Sequence, residues 1–338
     1  MARLAREITA AMVLDFGPDE VLRRLADPFW FQAFGCVLGY DWHSSGVTTT
    51  VCGAMKAGLA GTEHELGLFV AGGKGRAARA TPNDIAGHGS VLRTDPQQLI
   101  YASRMSAKVD SVALQDGYDL YHHSMFFTRD GKWTVVQQGM NTTSRYARRY
   151  HWLGEAVTDF CCEPEAAICS DIRGQAFNLV ANESQAARDA MAGMTTDFRP
   201  GALKLELQRL SVLNMPRREY LTFADFDVRR VSRLLDTVQS QAPADFASLL
   251  SLQGLGAKTA RAMALIADIV YGAPTSFRDP ATYSFAHGGK DGYPFPVDRA
   301  LYDRSIQMLS DAVRRAKLDA REKHEALAAL HSKSGGHP

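Results

Sequence analysis

Two apolar segments on either side of Asp130-Gly131 constrain the fold more than any other feature of the chain. Residues 119–128 and 133–140 are rich in aromatic and β-branched side chains, and an Asp-Gly step between such segments is typical of a β-hairpin with a two-residue turn. In that register, residue i of the first strand lies opposite residue 261 − i of the second, so that Phe126 faces Val135. Both faces of the hairpin are then mainly apolar, which predicts a pair of interior strands that are covered on both sides.

The hairpin becomes polar at its open end. The same register places Ser124 opposite Gln137 and His123 opposite Gln138, with His122 beside them. Burying such groups without partners costs about 1–3 kcal/mol each. We therefore expect a substrate, a metal ion or the polar groups themselves to satisfy them.

Two carboxylates precede this polar end. Asp110 and Asp116 lie just before the first strand, and Asp combined with His suits a hard divalent metal that activates water for phosphodiester cleavage. The structural alternative is that Asp116 only forms a turn with Gly117. The predicted metal is Mg²⁺ or Mn²⁺, with Asp110, Asp116 and His123 as ligands. The predicted catalytic residues are His43, Asp110, Asp116, His122, His123 and Gln138.

His43 is predicted from the helix that follows it. Apolar residues recur every four positions from Val47 to Leu59, which indicates a helix with one buried face. Ser44 or Ser45 can cap this helix, and a histidine beside the positive end of a helix suits the binding of phosphate or the activation of water. The alternative is a capped helix with a surface histidine.

The composition excludes several classes of protein. The chain has 338 residues, enough for two domains at about 150 residues each. Lys and Arg number 38 against 37 Asp and Glu, so the net charge of +1 does not steer the whole molecule to polyanions. No apolar run is long enough to span a bilayer and no secretory signal is recognised, which predicts a cytoplasmic protein with no membrane partner. The five cysteines contain no Cys-x-x-Cys pair, so we expect reduced thiols and no cysteine zinc site.

The second half of the chain carries a nucleic-acid signature. Leu249 and Leu252 are followed by Gly254-Leu255-Gly256, with the spacing of a helix-hairpin-helix motif over about residues 246–272. Glycines before a helix expose backbone N–H groups that suit a phosphate oxygen, and such contacts do not depend on base sequence. The alternative is an ordinary interhelical turn. The predicted contact residues are Gly254, Leu255, Gly256, Lys258 and Thr259.

Over these residues the sequence resembles the helix-hairpin-helix DNA glycosylases. In that family a lysine two places after the second glycine and an aspartate in a downstream Val-Asp step carry out the chemistry, and Lys258 and Asp298 stand at the matching positions. The resemblance implies a Schiff-base nucleophile at Lys258 in bifunctional members. No four-cysteine pattern follows, so no iron–sulfur cluster is expected. The alternative is that Lys258 contacts phosphate and Asp298 caps the next helix.

A basic and aromatic run follows the hairpin. Arg145, Arg148 and Arg149 are interleaved with Tyr146 and Tyr150, and the first acidic residue after Arg145 is Glu155. Such a run suits the backbone of a nucleic acid, and we predict that the three arginines bind it. A solvated charged face is the alternative.

The whole chain resembles the family called domain of unknown function 763, from about Arg6 to Leu330. The resemblance rests on D-W-H-S-S-G-V-T-T-T from Asp41, A-G-G-K-G from Ala71, A-K-V-D from Ala107, L-Q-D-G-Y-D-L-Y-H-H from Leu114, V-V-Q-Q-G-M-N from Val135, R-R-Y-H-W from Arg148 and S-F-A-H-G-G-K-D-G-Y-P-F-P-V-D from Ser284. The last segment implies a loop site with His287, Lys290, Asp291 and Asp298.

These observations predict an α+β protein. A mixed α/β domain at residues 1–155 would be catalytic, and an all-helical domain at residues 160–331 would hold DNA through the helix-hairpin-helix motif. The expected function is DNA processing, most simply by a nuclease. A glycosylase or lyase and a non-enzymatic DNA-binding adaptor are the alternatives, with RNA as an alternative partner. The sequence defines no oligomeric state.

Overall fold

The structure is a computed structural model that describes residues 1–40, 46–197, 238, 240–284 and 299–334. It confirms the mixed class, because helices and antiparallel sheets both occur. The described helices are α1 (Ala2–Phe16), α2 (Pro18–Ala26), α3 (Pro28–Val37), α4 (Val47–Leu59), α5 (Glu63–Leu66), α6 (Arg76–Gly87), α7 (Pro96–Lys108), α8 (Gln185–Asp197), α9 (Phe246–Ser251), α10 (Ala257–Tyr271), α11 (Arg299–Arg315) and α12 (Ala320–Ser334). The strands are β1 (Leu68–Lys74), β2 (Leu114–Gln115), β3 (Asp119–Thr128), β4 (Trp133–Met140), β5 (Ala147–Leu153), β6 (Ala167–Ser170), β7 (Gln175–Asn178) and β8 (Ser276–Arg278).

A five-stranded antiparallel sheet forms the centre of the molecule, with the strand order β1-β3-β4-β5-β6. Helices cover it on both sides. One face, which we call the α7 face, carries Phe69, Met125 and Val135 and packs against α7, α8 and α10. The other, the α4 face, carries Phe126 and Val136 and packs against α1–α4, α11 and α12. Because successive side chains of a strand alternate between faces, adjacent residues in one strand belong to different sites.

The predicted hairpin is present with the predicted strand bounds, but its register is shifted by one residue. Met125 lies opposite Val135 and His123 opposite Gln137, so paired residue numbers sum to 260 rather than 261. The turn has three residues instead of two, since the backbone N–H of Thr128 donates to the carbonyl oxygen of Lys132. Gly131 takes the left-handed conformation in this turn, with φ 83°.

Helix starts near the sheet follow local sequence signals. Pro28 is the first residue of α3, and the side chain of Asp27 accepts hydrogen bonds from Phe29 N and Trp30 N. The helix α7 begins in the same way, with Asp95 capping Gln97 N ahead of the helix interior. At the end of α7 the chain continues into a π-helical turn, Val109–Ala113, which carries Asp110 into the interior.

The expectation of an all-helical second part is wrong. Strands β6, β7 and β8 lie within it, and β7 joins β2 and β8 in a second, three-stranded sheet. One hydrophobic cluster contains both Phe69 and Met263, and the other contains both Phe34 and Val313. The boundary predicted between residues 155 and 160 therefore does not separate two hydrophobic cores.

In the part of the chain that the structure describes, no helix has both the length and the hydropathy required to cross a membrane.

Candidate functional site

A chain of buried hydrogen bonds lies on the α7 face and begins at His123. Nδ1 of His123 is 2.8 Å from Gln137 Oε1, and Nε2 of His123 is 2.9 Å from Ser103 Oγ on α7. The amide nitrogen of Gln137 donates to Asp110 Oδ2 at 2.5 Å, so the amide oxygen must accept from His123. Burial lowers the pKa of His123, which keeps the ring neutral with its hydrogen on Nδ1.

Asp110 is the end of this chain and is completely buried. Its Oδ2 also accepts a hydrogen bond from Trp152 Nε1 at 2.8 Å. Burial and the adjacent carboxyl of Glu165 raise the pKa of Asp110 well above its usual value, and burial raises the pKa of Glu165. Because two neighbouring buried carboxyl groups cannot both be charged at low cost, we expect them to hold one proton between them. The sequence analysis missed Glu165, which no motif or spacing distinguishes from a surface residue.

Asp116 belongs to a different buried group. Its Oδ2 accepts from Arg148 Nη1 at 2.8 Å and from the hydroxyl of Tyr150 at 2.7 Å. Arg148 also donates to Asp279 Oδ2 at 2.7 Å, which closes a carboxylate–guanidinium–carboxylate triad. The ring of Tyr118 lies under the Arg148 guanidinium at 4.5 Å. Each carboxylate of this triad is already paired.

The predicted catalytic residues therefore do not form a single group. His123 and Asp110 are linked on the α7 face, whereas His122 points to the α4 face because it is the next residue of the same strand. Among the residues that the structure describes, no three His, Cys, Asp or Glu side chains are arranged to hold a metal ion. The predicted ligands Asp110, Asp116 and His123 instead bind other protein groups.

A polar row crosses the α4 face at the end of the sheet. Ladder pairing aligns one residue from each strand: Lys74, His122, Gln138, Arg149 and Cys169. We call these five residues the α4-face row. The predicted catalytic residues His122 and Gln138 are neighbours in this row, so the structure does bring two of them together.

His122 has a hydrogen-bond partner for only one of its two ring nitrogens among the described residues. Its Nε2 is 3.0 Å from Ser124 Oγ, while its Nδ1 is buried and has no hydrogen-bond partner in the described residues. Burial, with smaller effects of His123 and Lys74, lowers the pKa of His122 to about 4. The ring is therefore neutral at physiological pH, with one nitrogen available.

The arginines of the basic run have different positions. Arg148 and Arg149 are buried, so the prediction that they face a nucleic acid from the surface is wrong. Arg149 stacks on the ring of Phe31 at 4.6 Å and donates to Gln32 Oε1 and His151 Nε2. Arg145 is exposed, in the turn between β4 and β5.

The glycine turn, residues 252–256, joins α9 to α10. Gly254 is exposed with φ 91°, Gly256 is half-buried, and the Leu255 side chain is buried. The ammonium group of Lys108 donates to the carbonyl oxygens of Leu252 at 2.6 Å and Leu255 at 3.0 Å. The carbonyl side of the turn is thereby tied to the end of α7. Lys108 was not predicted, although it stands in the same A-K-V-D segment as Asp110.

The helix that follows the turn presents its N-terminus to the same region. Gly256 is the N-cap of α10, no side chain caps it, and no acidic residue lies in the first turn. Lys258 is exposed there, whereas the Thr259 side chain is buried, so that only the backbone N–H of Thr259 is left to contact an anion. The first N–H groups of a helix have no partner within it, so they are available to an anion.

Five predicted site residues lie outside the described residues: His43, His287, Lys290, Asp291 and Asp298. The predicted pairing of Lys258 with Asp298 is therefore not described. Their predicted roles stay predictions.

Comparison with known proteins gives one family. No curated protein and no solved structure matches the chain. The family model described as protein of unknown function (DUF763) matches residues 1–297, which is most of the chain. The chain therefore belongs to that family.

Proposed function

We propose that this protein binds the sugar–phosphate backbone of DNA through the glycine turn and the N-terminus of α10. The observation that carries this proposal is the polarity of the turn. Its carbonyl oxygens at Leu252 and Leu255 are bound by Lys108, and the carbonyl of Ala257 accepts from Gln115 Nε2 at 3.1 Å. The backbone N–H groups of the turn, at exposed Gly254 and uncapped Gly256, remain available to bind a phosphate.

Local charge supports the same function. Lys258 is exposed in the first turn of α10, Arg261 follows one turn later, and Lys108 lies beneath the turn. Burial lowers the pKa of Lys108, but its two carbonyl partners stabilise the protonated form. A positive corner on a nearly neutral protein favours a phosphate at this position without attracting nucleic acid to the remaining surface.

Contacts from backbone amides and one lysine to phosphate groups do not distinguish one base from another. We therefore propose binding that depends on salt and on backbone shape more than on sequence. The logarithm of the affinity should fall linearly with the logarithm of the salt concentration.

The experiment uses Gly256→Val. A Cβ at Gly256 meets nothing within 4 Å and the residue has a φ of −120°, so a side chain fits the fold but covers the amides. DNA binding should be lost, while the melting temperature falls only slightly because valine is a poor N-cap. Gly87→Val is the matched control, since Gly87 also has open space around its Cβ position. Wild-type affinity in Gly256→Val would refute the proposal.

A second candidate function is phosphodiester cleavage, as a nuclease, and His122 favours it. In the tautomer that carries its hydrogen on Nε2, the unbonded Nδ1 of this neutral imidazole can accept a proton from water. Duplex, nicked and branched DNA should be tested with and without Mg²⁺ or Mn²⁺. Cleavage that is lost in His122→Gln but kept in His123→Gln assigns the reaction to the α4 face. The absence of cleavage in the wild-type protein leaves DNA binding as the function.

A further inference from the structure

The α4-face row has a composition that an interior sheet does not need for stability. Strands β1, β3, β4 and β5 contribute Lys74, His122, Gln138 and Arg149, which are all hydrogen-bond donors, and two of them are cations. Apolar side chains are the usual occupants of the interior face of a sheet that is covered by helices. The next residues inward on the same face are Ser124, Val136 and His151, and the apolar Phe126 follows Ser124. The polar character is therefore concentrated at one end of the sheet.

The direction of the hydrogen bonds around His122 shows what it can bind. Burial raises the pKa of the Cys52 thiol to about 12, so the thiol keeps its proton next to Ser124. In the tautomer that accepts at Nε2 from the Ser124 hydroxyl, the neutral ring carries its hydrogen on Nδ1. In this tautomer Nδ1 is an N–H donor for which the described residues provide no acceptor. A buried donor without an acceptor is costly and calls for a ligand or another explanation.

The row is accessible from one side. Its first member, Lys74, is exposed and belongs to the edge strand β1, next to exposed Gly75 and Arg76. The Lys74 ammonium lies 5.7 Å from the centre of the Tyr121 ring, and its charge acts on His122. His122, the ladder neighbour of Lys74, is the first buried member of the row.

Other charged groups near the row have defined partners. Asp171 acts on Arg149 from the β6 end, and Asp84 is paired with Lys56 and accepts from Gly72 N. The Lys74 end of the row therefore keeps a positive potential.

We propose that the Lys74–His122 end of the α4-face row is a binding site for a phosphate group, with His122 Nδ1–H and the Lys74 ammonium as donors. Phosphate fits because it offers several acceptor oxygens and a negative charge to an N–H group and a cation at one place. This site is separate from the glycine turn, which is attached to α7 on the opposite face of the sheet. The inference does not rest on the proposed function.

The experiment measures the binding of inorganic phosphate to the full chain by titration calorimetry. Loss of a charge-assisted hydrogen bond in His122→Phe should weaken binding about 10- to 100-fold. Lys74→Met removes an exposed charge without disturbing the core, so it decides the question if His122→Phe does not fold. Lys317→Met is the matched control, because Lys317 is also exposed and lies on the connection between α11 and α12.

Weaker binding in His122→Phe and Lys74→Met, with wild-type binding in Lys317→Met, supports the site. No binding of phosphate by the wild-type protein, or equal binding by all variants, overturns it. Competition with a single-stranded oligonucleotide identifies which kind of molecule carries the bound phosphate group. If it displaces phosphate, the site takes a nucleic-acid phosphate, and if it does not, the site takes free phosphate or a mononucleotide. DNA binding that is lost in Gly256→Val but kept in Lys74→Met separates the two proposals.

Discussion

Nδ1 of His123 lies 2.8 Å from Oε1 of Gln137, its direct neighbour across the β3–β4 ladder. This contact exists because the hairpin turn has three residues. A two-residue turn would place Gln138 opposite His123 and would turn Gln137 to the α4 face. Gln137 could not then connect His123 to Asp110. The length of one turn therefore decides which polar groups are connected inside the protein.

Gly131→Ala tests the turn. Gly131 has φ 83°, and a Cβ there would lie 2.6 Å from Thr94 Cγ2. The substitution should lower the free energy of unfolding by about 1–3 kcal/mol, measured by urea denaturation. In a Thr94→Ser background the steric part should disappear and the cost should be smaller. An unchanged urea midpoint in Gly131→Ala would contradict the observed turn.

Arg148→Met tests the buried triad. The substitution leaves Asp116 and Asp279 buried without their common cation. We expect a loss of about 3–5 kcal/mol in the free energy of unfolding. Arg145→Ala, three residues earlier and exposed, is the control and should change it by less than about 0.5 kcal/mol. Equal effects of the two substitutions would show that Arg148 is not an interior charge.

Asp110→Asn tests the shared proton. The pKa of Asp110 is raised in the folded protein, so the folded state holds a proton that the unfolded state releases above about pH 4. The stability of the wild-type protein should fall as pH rises toward the raised pKa, by up to about 1.4 kcal/mol per pH unit for one proton. Asparagine resembles the protonated acid and does not titrate.

The measurement compares urea denaturation of both proteins between about pH 5 and pH 9. The difference should be small at the acidic end and should favour Asp110→Asn at the alkaline end. Taking the difference removes the contributions of other buried groups, such as His123 and Asp116, whose pKa values are also shifted. A difference that does not change with pH would mean that Asp110 and Glu165 share no proton.

Lys108→Met tests whether the carbonyl side of the glycine turn supports DNA binding. Methionine keeps much of the length of the side chain and loses both bonds to Leu252 and Leu255. We expect binding about tenfold weaker, because the amides of the turn are no longer held in place. The slope of affinity against salt should change less than in Lys258→Ala, which removes a direct phosphate contact. Unchanged affinity in Lys108→Met would show that the turn keeps its shape without this clamp.

Much of the local structure follows from the sequence. The bounds of β3 and β4, the buried stripe of α4 from Val47 to Leu59 and the helices on either side of the glycine turn were all predicted. Strand alternation alone also separates His122 from His123, although the prediction treated the two as one group. The sequence analysis thus contained the signal for this division and did not use it.

Other features depend on distant parts of the chain. The sequence around Arg148 predicts a surface residue. In the structure, Arg148 pairs with Asp279, which is 131 positions away, and is a buried charge. The ammonium group of Lys108 donates a hydrogen bond to the carbonyl oxygen of Leu252, which is 144 positions away in the sequence. Glu165 raises the pKa of Asp110 only because folding brings the two carboxyl groups together.

The sequence by itself determined the elements, because backbone propensities and apolar periodicity act over a few residues. It also determined the family, whose model matches residues 1–297. Only the tertiary structure decided the hairpin register, the division of polar residues between the two faces and the charges that are buried. These depend on pairing between distant segments, where a shift of one residue exchanges the partners of every side chain.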